Sequence, residues 1–484
     1  MRPIIEHGHT IHTPETLAEQ LRGQPGLILL SSGGKLTDQA RYSFVVTHPF
    51  LTLRTWGSRC ETRSGKHVGV QYGNPWNILD QLVSRYELID DIDLPFPLGG
   101  CFGYWGYDLK NFVEPRLTAK AVNDLEIPDC CVGFYDSLAI FDHHLGKTWI
   151  VSTGLSPDGS RTESRARQQA DWWHEQLALL PSPLNHSSEE TVPQTHSRSN
   201  FTRKKFLSAI RRALDYIYAG DIYQVNLSQR LTATWPGEGW GFYQSLQKVS
   251  PAPFTAFQDA GDFQIISSSP ERFLRLSGQH IQTRPIKGTR ARSSDPLLDA
   301  QLASELKSSE KERAELVMIT DLLRNDLGRV CEFGSITVPE LMQLEKYPQV
   351  QHLVSTIEGR LESKLSHLSA LRECFPGGSI TGAPKFRAME IIDELEPSSR
   401  GPYTGSLGYL GFNRESQFNI AIRTAIVRNE RVYFQVGAGI VADSIPELEY
   451  EETLTKARGF EKALTRPQPV NGTPAQSGLH IRTF

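Results

Sequence analysis

Long apolar runs are missing from this chain: no window approaches the roughly 18 uninterrupted apolar residues that a membrane-spanning helix needs. The opening residues, MRPIIEHGHTIHTPETL, hold no apolar stretch of signal-peptide length. Basic runs are missing too, and a net charge of -4 leaves no electrostatic footprint for a nucleic-acid backbone. Cysteine is sparse: of six, Cys130 and Cys131 are adjacent and the rest scattered, which matches neither metal-ligand spacing nor a disulfide framework. No internal repeat is visible. These absences predict a cytoplasmic protein with reduced, packed thiols and with neither membrane nor nucleic acid as a partner. What is present is ordinary: 39% hydrophobic and 22% charged residues over 484 positions, enough for two domains or one large composite body.

Residues 10 to 155 hold short alternating segments such as YSFVVTH, LTLRTW and SLAIFDH between glycines and prolines, with a helical stretch near NILDQLVSRY. That pattern predicts α plus β with antiparallel strands. LGGCFGYWGYDL, 98 to 109, alternates glycine with aromatics and predicts close backbone packing under large rings. A polar helix over 160 to 179 follows, and 181–200, rich in proline, serine and charge, reads as a linker or long surface loop. The chain thus divides into an N-terminal region 1–180, a denser region 201–465 and a frayed tail 466–484. Within the denser region the spacing predicts a helix over FLSAIRRALDYIYAG closed by Gly220, a strand over DIYQVNLSQRL, and one long helix from about Glu305 to Leu327. Strands NIAIRTAIV and VYFQVGAGIVA and a last helix, IPELEYEETLTKARGFEKAL, complete it.

RPIKGTR, 284 to 290, sets Lys287 between Pro285, which fixes its own backbone, and Gly288, which admits a close neighbour. Read alone, it is a solvated basic turn. Two helices carry acidic residues three apart. Glu312 and Glu315 share a face continued by Ile319, Leu322 and Leu323, and Glu449, Glu452 and Lys456 share one continued by Phe460. Four carboxylates without histidine or cysteine at ligand spacing suit a hard, oxygen-seeking ion such as Mg²⁺. Taken helix by helix, a solvated face salt-bridged to Lys311 and Arg313 explains each pair as well. Arg423 sits in the apolar strand NIAIRTA, where either a ligand carboxylate or a structural salt bridge would compensate it. VGAGI, 436 to 440, reads as a strand end whose glycines open backbone N–H groups to a ligand oxygen. PGGSITGAPK lacks the spacing of a nucleotide phosphate loop. His352, in VQHLVS, is either a proton carrier or a hydrogen-bonded core residue, and spacing does not decide which.

In this order, GDIYQVNLSQR, SPERF, PIKGTR, KERAELVMITDLLRNDLG, QHLVSTIEG, FPGGSITGAPK, RGPYTGSLGY, NIAIRT, VGAGIVADS and EYEETLTKA resemble the chorismate-utilising enzymes, which include the large components of anthranilate synthase and aminodeoxychorismate synthase. The resemblance covers 201 to 464; the N-terminal region matches more loosely through LLSSGG and ARYSF. It implies one composite α+β body, two large antiparallel sheets packed as a sandwich with helices outside, to which the N-terminal region adds strands. It also implies Glu315 and Glu452 as Mg²⁺ ligands, with Glu312 and Glu449 holding the ion's waters. Tyr403, Arg423, the Gly437-Ala438-Gly439 backbone and Lys456 would hold the carboxylates of chorismate, with Gly288 and Thr289 beside the ring. Glu271 resembles the general acid that helps the C4 hydroxyl leave, and His352 matches a family histidine. By this resemblance, family members that add water to chorismate have a lysine base where this chain has Gln224, which disfavours an isochorismate or salicylate synthase. Anthranilate synthases usually carry alanine where it has Lys287, and a lysine there resembles the enzymes that aminate C4 through a covalent lysine adduct.

The reaction so implied makes 4-amino-4-deoxychorismate from chorismate and ammonia, on the way to p-aminobenzoate and folate. No nucleophilic cysteine with a partner histidine generates ammonia in this chain, so a separate glutamine amidotransferase subunit is implied. The family can hold tryptophan in its N-terminal region, and Ser32, Arg41, Tyr42, Pro253, Phe254 and Thr255 lie near the matching positions. Two other readings stay open: anthranilate synthase component I, and a silent tryptophan-binding partner subunit.

Overall fold

The protein is described by a computed structural model over residues 2–32, 41–88, 94–118, 120–181, 197–347 and 350–465. The tail at 466–484 and most of the linker at 181–200 lie outside the described residues. Strand Leu51–Trp56 alternates buried and half-buried positions, as a strand with one covered face does. Gly100–Trp105, Cys130–Tyr135, Ser137–Asp142 and Ser406–Gly411 are buried at every position, so they lie deep between layers.

The described strands form two antiparallel sheets of twelve. The first runs Ile4–Gly8, Lys147–Ser152, Ser137–Asp142, Tyr42–Val46, Ile28–Ser31, Phe254–Asp259, Gln264–Ser269, Thr424–Arg428, Arg431–Ile440, Gln224–Thr234 and Arg198–Ser199, with Gly382–Ala383 also on Gln224–Thr234. The second runs Ile286–Ala291, Val350–Arg360, His280–Arg284, Arg272–Ser277, Glu415–Ile420, Ser406–Gly411, Gly100–Trp105, Cys130–Tyr135, Leu51–Trp56, Arg59–Ser64 and His67–Tyr72, with Thr337–Lys346 on the other side of Val350–Arg360. Each sheet takes strands from both sides of the 181–200 segment. They meet where Ser31 pairs Thr255 in the first sheet and where Gly103 pairs Gly408 in the second.

The layers interdigitate through aromatic rings: Phe44 of the first sheet meets Phe102 and Tyr409 of the second, with centroids 6.5 and 4.9 Å apart. Helices Glu163–Ala178, Gly239–Val249 and Pro446–Leu464 cover the outer face of the first sheet, setting Trp173, Tyr243 and Phe460 against Val45, Ile150 and Phe257. The polar helix docks through one stripe, Ala166, Ala170, Trp173 and Leu177. Large apolar side chains buried there, at about 1.5–3 kcal/mol each, are enough to hold an otherwise charged helix.

Two elements differ from the sequence reading. The long helix is two, Pro296–Ser308 and Glu310–Gly328, because Ser309 caps the second by accepting from the Glu312 amide at 3.4 Å. The run NIAIRTAIV is also two elements, Glu415–Ile420 in the second sheet and Thr424–Arg428 in the first, so Arg423 lies in the crossing between them rather than within a strand.

The glycine-aromatic segment packs as its pattern predicts. Gly103 has φ +145, and a β-carbon there would drive into the Cys131 carbonyl oxygen and lie 2.9 Å from the Val132 Cα. Backbone cannot step aside as a side chain can, so Gly103→Ala should destabilise the protein by about 3 kcal/mol or more, read as a lower urea midpoint. An unchanged midpoint would contradict this packing.

Candidate active site

A chain that leaves one sheet for the other gives up its ladder hydrogen bonds at the crossing, and two such crossings lie side by side here. Gln264–Ser269 of the first sheet passes through Pro270 and Glu271 into Arg272–Ser277 of the second. Glu415–Ile420 returns through Ala421, Ile422 and Arg423 to Thr424–Arg428. The Ile420 amide donates to the Glu271 carbonyl at 3.1 Å, and the Ser269 hydroxyl to the Ile420 carbonyl at 2.6 Å, which ties the crossings together. Glu271 is only 6% exposed. Burial pushes its carboxyl up to about 7, against the opposing pull of a 2.6 Å hydrogen bond from Ser379 and of the Lys287 charge. Arg423 has φ +52 and no ion pair or side-chain hydrogen bond among the described residues, so a structural salt bridge does not account for it. Burial lowers its pKa, and the nearby Tyr403 opposes the shift.

Lys287 lies on the edge of the second sheet, where Gly288 at φ +65 makes a bulge: Lys287 pairs Leu353 while Thr289 pairs His352. A β-carbon on Gly288 would come within 2.6 Å of Leu306 Cδ1 and 3.2 Å of Glu312 Oε2, so the turn and the acidic helix Glu310–Gly328 touch through a position that needs glycine. The bulge breaks the usual alternation. The Lys287 amine reaches to 3.8 Å from Glu315, while the Thr289 hydroxyl meets His352 Nδ1 at 3.0 Å. Burial lowers the His352 pKa, and the neighbouring Gly288 carbonyl opposes it, so the imidazole is neutral near pH 7.

The two acidic helices bring their carboxylates to one region. Burial raises the Glu315 pKa, and both Glu312 and Glu452 raise it further, while Lys287 and Lys311 pull it down. Burial also raises Glu449, which accepts from Ser444 at 2.7 Å. Burial pushes Glu452 up as well, but Lys456 at 2.7 Å, with Lys311 and Lys287, outweighs it and leaves the pKa lowered. Lys456 also donates to the Gly437 carbonyl at 2.8 Å; burial lowers its pKa and Glu452 opposes that. Glu312 faces Arg290 at 3.6 Å. An all-oxygen donor set in which like charges raise one another's pKa fits a hard divalent cation in its chemistry. Among the described residues no three such groups stand close enough together to hold one ion, and lysines engage Glu315 and Glu452 instead.

The glycines at 437 and 439 lie in the closing residues of strand Arg431–Ile440, as the sequence reading places them. They face Ser228 and Asn226, whose own amides bond to Glu396 and Thr381, so these are the non-hydrogen-bonded pairs of the ladder. The neighbouring strand Thr424–Arg428 pairs only residues 431 to 434, so the N–H groups of Gly437 and Gly439 face an open edge. Tyr403 Oη stands 3.0 Å from where a β-carbon on Gly437 would be, and burial pushes the phenol up to about 12. Gln224, 2% exposed, lays its amide 2.5 Å from the corresponding point on Gly439, with the Lys287 amine 4.0 Å from that same point.

Lys287, Glu271, Arg423, Tyr403, the two glycines, Lys456 and the acidic helices thus surround one cleft. Sequence reading missed Ser379, the partner of Glu271, and Asn226. It also missed Arg400, which bonds Glu396, Thr404, the Ile380 carbonyl and the Asn226 carbonyl and so pins three segments under the cleft. The proposed tryptophan positions gather about strands Ile28–Ser31, Tyr42–Val46 and Phe254–Asp259 of the first sheet, with Phe254 paired to Ser269 beside the Pro270-Glu271 crossing. Ser32 donates its amide to Ser43 at 3.0 Å, Thr255 pairs Ser31, and Phe254 lies under Arg272 beside Pro253. Arg41 is engaged by Asp142 at 2.6 Å, while the Tyr42 hydroxyl is buried without a partner among the described residues. Residues 33–40 between them lie outside the description.

No described helix is long and apolar enough to cross a membrane. The chain matches the family described as chorismate binding enzyme over residues 29–462. It is 41% identical over 438 residues to aminodeoxychorismate synthase component 1 of Klebsiella aerogenes, covering 90% of this chain and 93% of that one. It is 44% identical over 466 residues to anthranilate synthase component 1 of Thermus thermophilus, covering 94% and 96%. Among solved structures, anthranilate synthase component I from Streptococcus pneumoniae TIGR4 superposes with a TM-score of 0.77 at 32% identity, over 88% of this chain and 93% of that one. A family match across most of the sequence, carried by a fold shared with a solved relative, makes this chain a member of the chorismate binding enzymes.

Proposed function

We propose that the chain is the chorismate-aminating component of an aminodeoxychorismate synthase, working in the cytoplasm with ammonia from a separate glutamine amidotransferase subunit. One observation carries this reading: a primary amine, Lys287, stands in the cleft 3.8 Å from Glu315, where a family member making anthranilate usually has alanine. Gln224 beside it has no basic group with which to activate water, which speaks against hydroxylation.

Chorismate is a dianion with a poor leaving group, so the site must neutralise two carboxylates and protonate a departing hydroxyl. Arg423, Tyr403, Lys456 and the open N–H groups of Gly437 and Gly439 supply the first requirement on one side. A magnesium ion held by Glu315 and Glu452, with Glu312 and Glu449 on its waters, would neutralise the ring carboxylate on the other. In the first step the Lys287 Nζ lone pair bonds to C2, both conjugated ring double bonds shift, C1=C2 to C1=C6 and C5=C6 to C4=C5, and the C4–O bond breaks. Glu271 gives its proton to the leaving oxygen, which departs as water. In the second step ammonia bonds to C4, the double bonds shift back and the C2–Nζ bond breaks, returning the amine; the proton shed by the new C4 nitrogen restores the Glu271 carboxyl and leaves 4-amino-4-deoxychorismate. His352 keeps the Gly288-Thr289 turn in place as a neutral hydrogen-bonding group.

Incubation with chorismate, Mg²⁺ and ammonium salt at alkaline pH should yield aminodeoxychorismate, detected as p-aminobenzoate once a lyase is added. Fluorescent anthranilate as the main product would contradict the reading and favour the anthranilate synthase alternative.

Glu271 must be protonated to act as an acid, so kcat/KM, measured at constant unprotonated ammonia, should fall as pH rises through about 7. The Ser379 hydrogen bond stabilises the carboxylate, so Ser379→Ala should raise the Glu271 pKa and move that fall to higher pH. Glu271→Gln should lose about 100-fold or more in kcat and abolish the dependence. A fall that stays in place in both variants would remove Glu271 from the proton transfer.

A further inference from the structure

We propose that Asn226 is a substrate-orienting residue, its carboxamide donating to a substrate carboxylate beside Tyr403 and Arg423. The inference rests on the chorismate reading above and adds to it a binding group and a reason for its position.

The main chain of Asn226 is held on both sides: its amide donates to the Thr381 carbonyl at 2.8 Å, and its carbonyl accepts from Arg400 Nη2 at 2.7 Å. The side chain is therefore set by a clamped backbone and takes no part in clamping it. It lies across the neighbouring strand over Gly437, where a β-carbon would come within 3.1 Å of Asn226 Oδ1 and 3.0 Å of Tyr403 Oη. The absent side chain at 437 is what lets carboxamide and phenol come together. Among the described residues Asn226 Oδ1 is buried with no hydrogen-bond partner and none accepts from Nδ2. A buried amide oxygen left unpartnered is costlier than an apolar group of the same shape would be, so a packing role alone gives no reason for asparagine here. Turned either way, the amide presents a polar atom to the cleft. Tyr403 lies beside it and Arg423 beside Tyr403, and neither the phenol hydroxyl nor the guanidinium has a hydrogen-bond or ion-pair partner among the described residues.

Spacing gives the ligand its shape. Gln224, two residues earlier on the strand, lies over Gly439 beside the Lys287 amine, and its Oε1 is likewise buried without a partner among the described residues. Alternate residues of a strand stand about 6.5–7 Å apart, so one carboxamide is beside the reacting amine and the next is one small-molecule length away. That suits a ring at Lys287 with a short carboxylate-bearing arm reaching Asn226, Tyr403 and Arg423.

The test is calorimetric titration of chorismate with Mg²⁺ at pH 8 into wild type, Asn226→Ala and Asn226→Asp, with steady-state kinetics and melting temperature for each. Loss of one donor to a charged group should weaken binding about 10-fold in Asn226→Ala, and a carboxylate facing a carboxylate should weaken it about 50-fold in Asn226→Asp. Both losses should appear in KM more than in kcat. Wild-type affinity in both variants overturns the inference alone. A fall of more than about 10 °C in the melting temperature of both assigns Asn226 to structure and overturns it as well. Absence of binding by the wild-type chain overturns the chorismate reading itself, and this inference with it.

Discussion

Two broad sheets can lie face to face in one chain only if strands leave one sheet and enter the other, and every other feature of the cleft depends on where they do so. At Pro270-Glu271 and at Ala421–Arg423 the backbone crosses the gap, and the side chains at those crossings are released from strand alternation. An acid and a guanidinium that neither a sheet face nor a solvated surface would provide are thereby brought together, tied by the Ile420–Glu271 hydrogen bond. The same gap exposes the free edge of Arg431–Ile440, whose glycines turn their N–H groups to it.

Charge in the cleft is balanced by opposites that a ligand can displace. Lys287, Lys311 and Lys456 restrain carboxylates that would otherwise raise one another's pKa. Beneath them the balance is permanent: Arg400 and Glu396 form a buried pair at 2.7 Å, and both partners are further bonded, Arg400 to Thr404, Ile380 and Asn226 and Glu396 to Ser228. A buried pair with every remaining donor used avoids the penalty that desolvation otherwise imposes.

Helical spacing made the acidic pairs legible, since residues three apart share a face whatever the helix packs against. Proline and glycine marked the Lys287 segment but suggested a turn, whereas Ile286–Ala291 is an edge strand bulged at Gly288; the glycine-aromatic strand was legible from its composition. Arg423 was misplaced because an apolar run reads the same whether it stays in one sheet or crosses to another. The helix break at Ser309 could have been found, for Ser309 and Glu312 have the spacing of an N-terminal cap. Ser379 and Asn226 could not. The first meets a glutamate more than 100 residues away, its sequence separation from Glu271 being 108, and the second matters only because a strand over 200 positions on places glycine beneath it. Such pairings exist only once the sheets have formed.

The central claim is that the Lys287 amine forms a bond to the substrate ring. It is tested most directly by mixing the protein with chorismate and Mg²⁺ without ammonia, quenching in acid, and weighing the peptides. The account predicts that the peptide holding Lys287 gains the mass of chorismate less one water, that ammonia added before the quench removes the gain, and that Lys287→Ala shows none and loses most turnover while still binding chorismate. Full turnover by Lys287→Ala, or an adduct on any other residue, would contradict it.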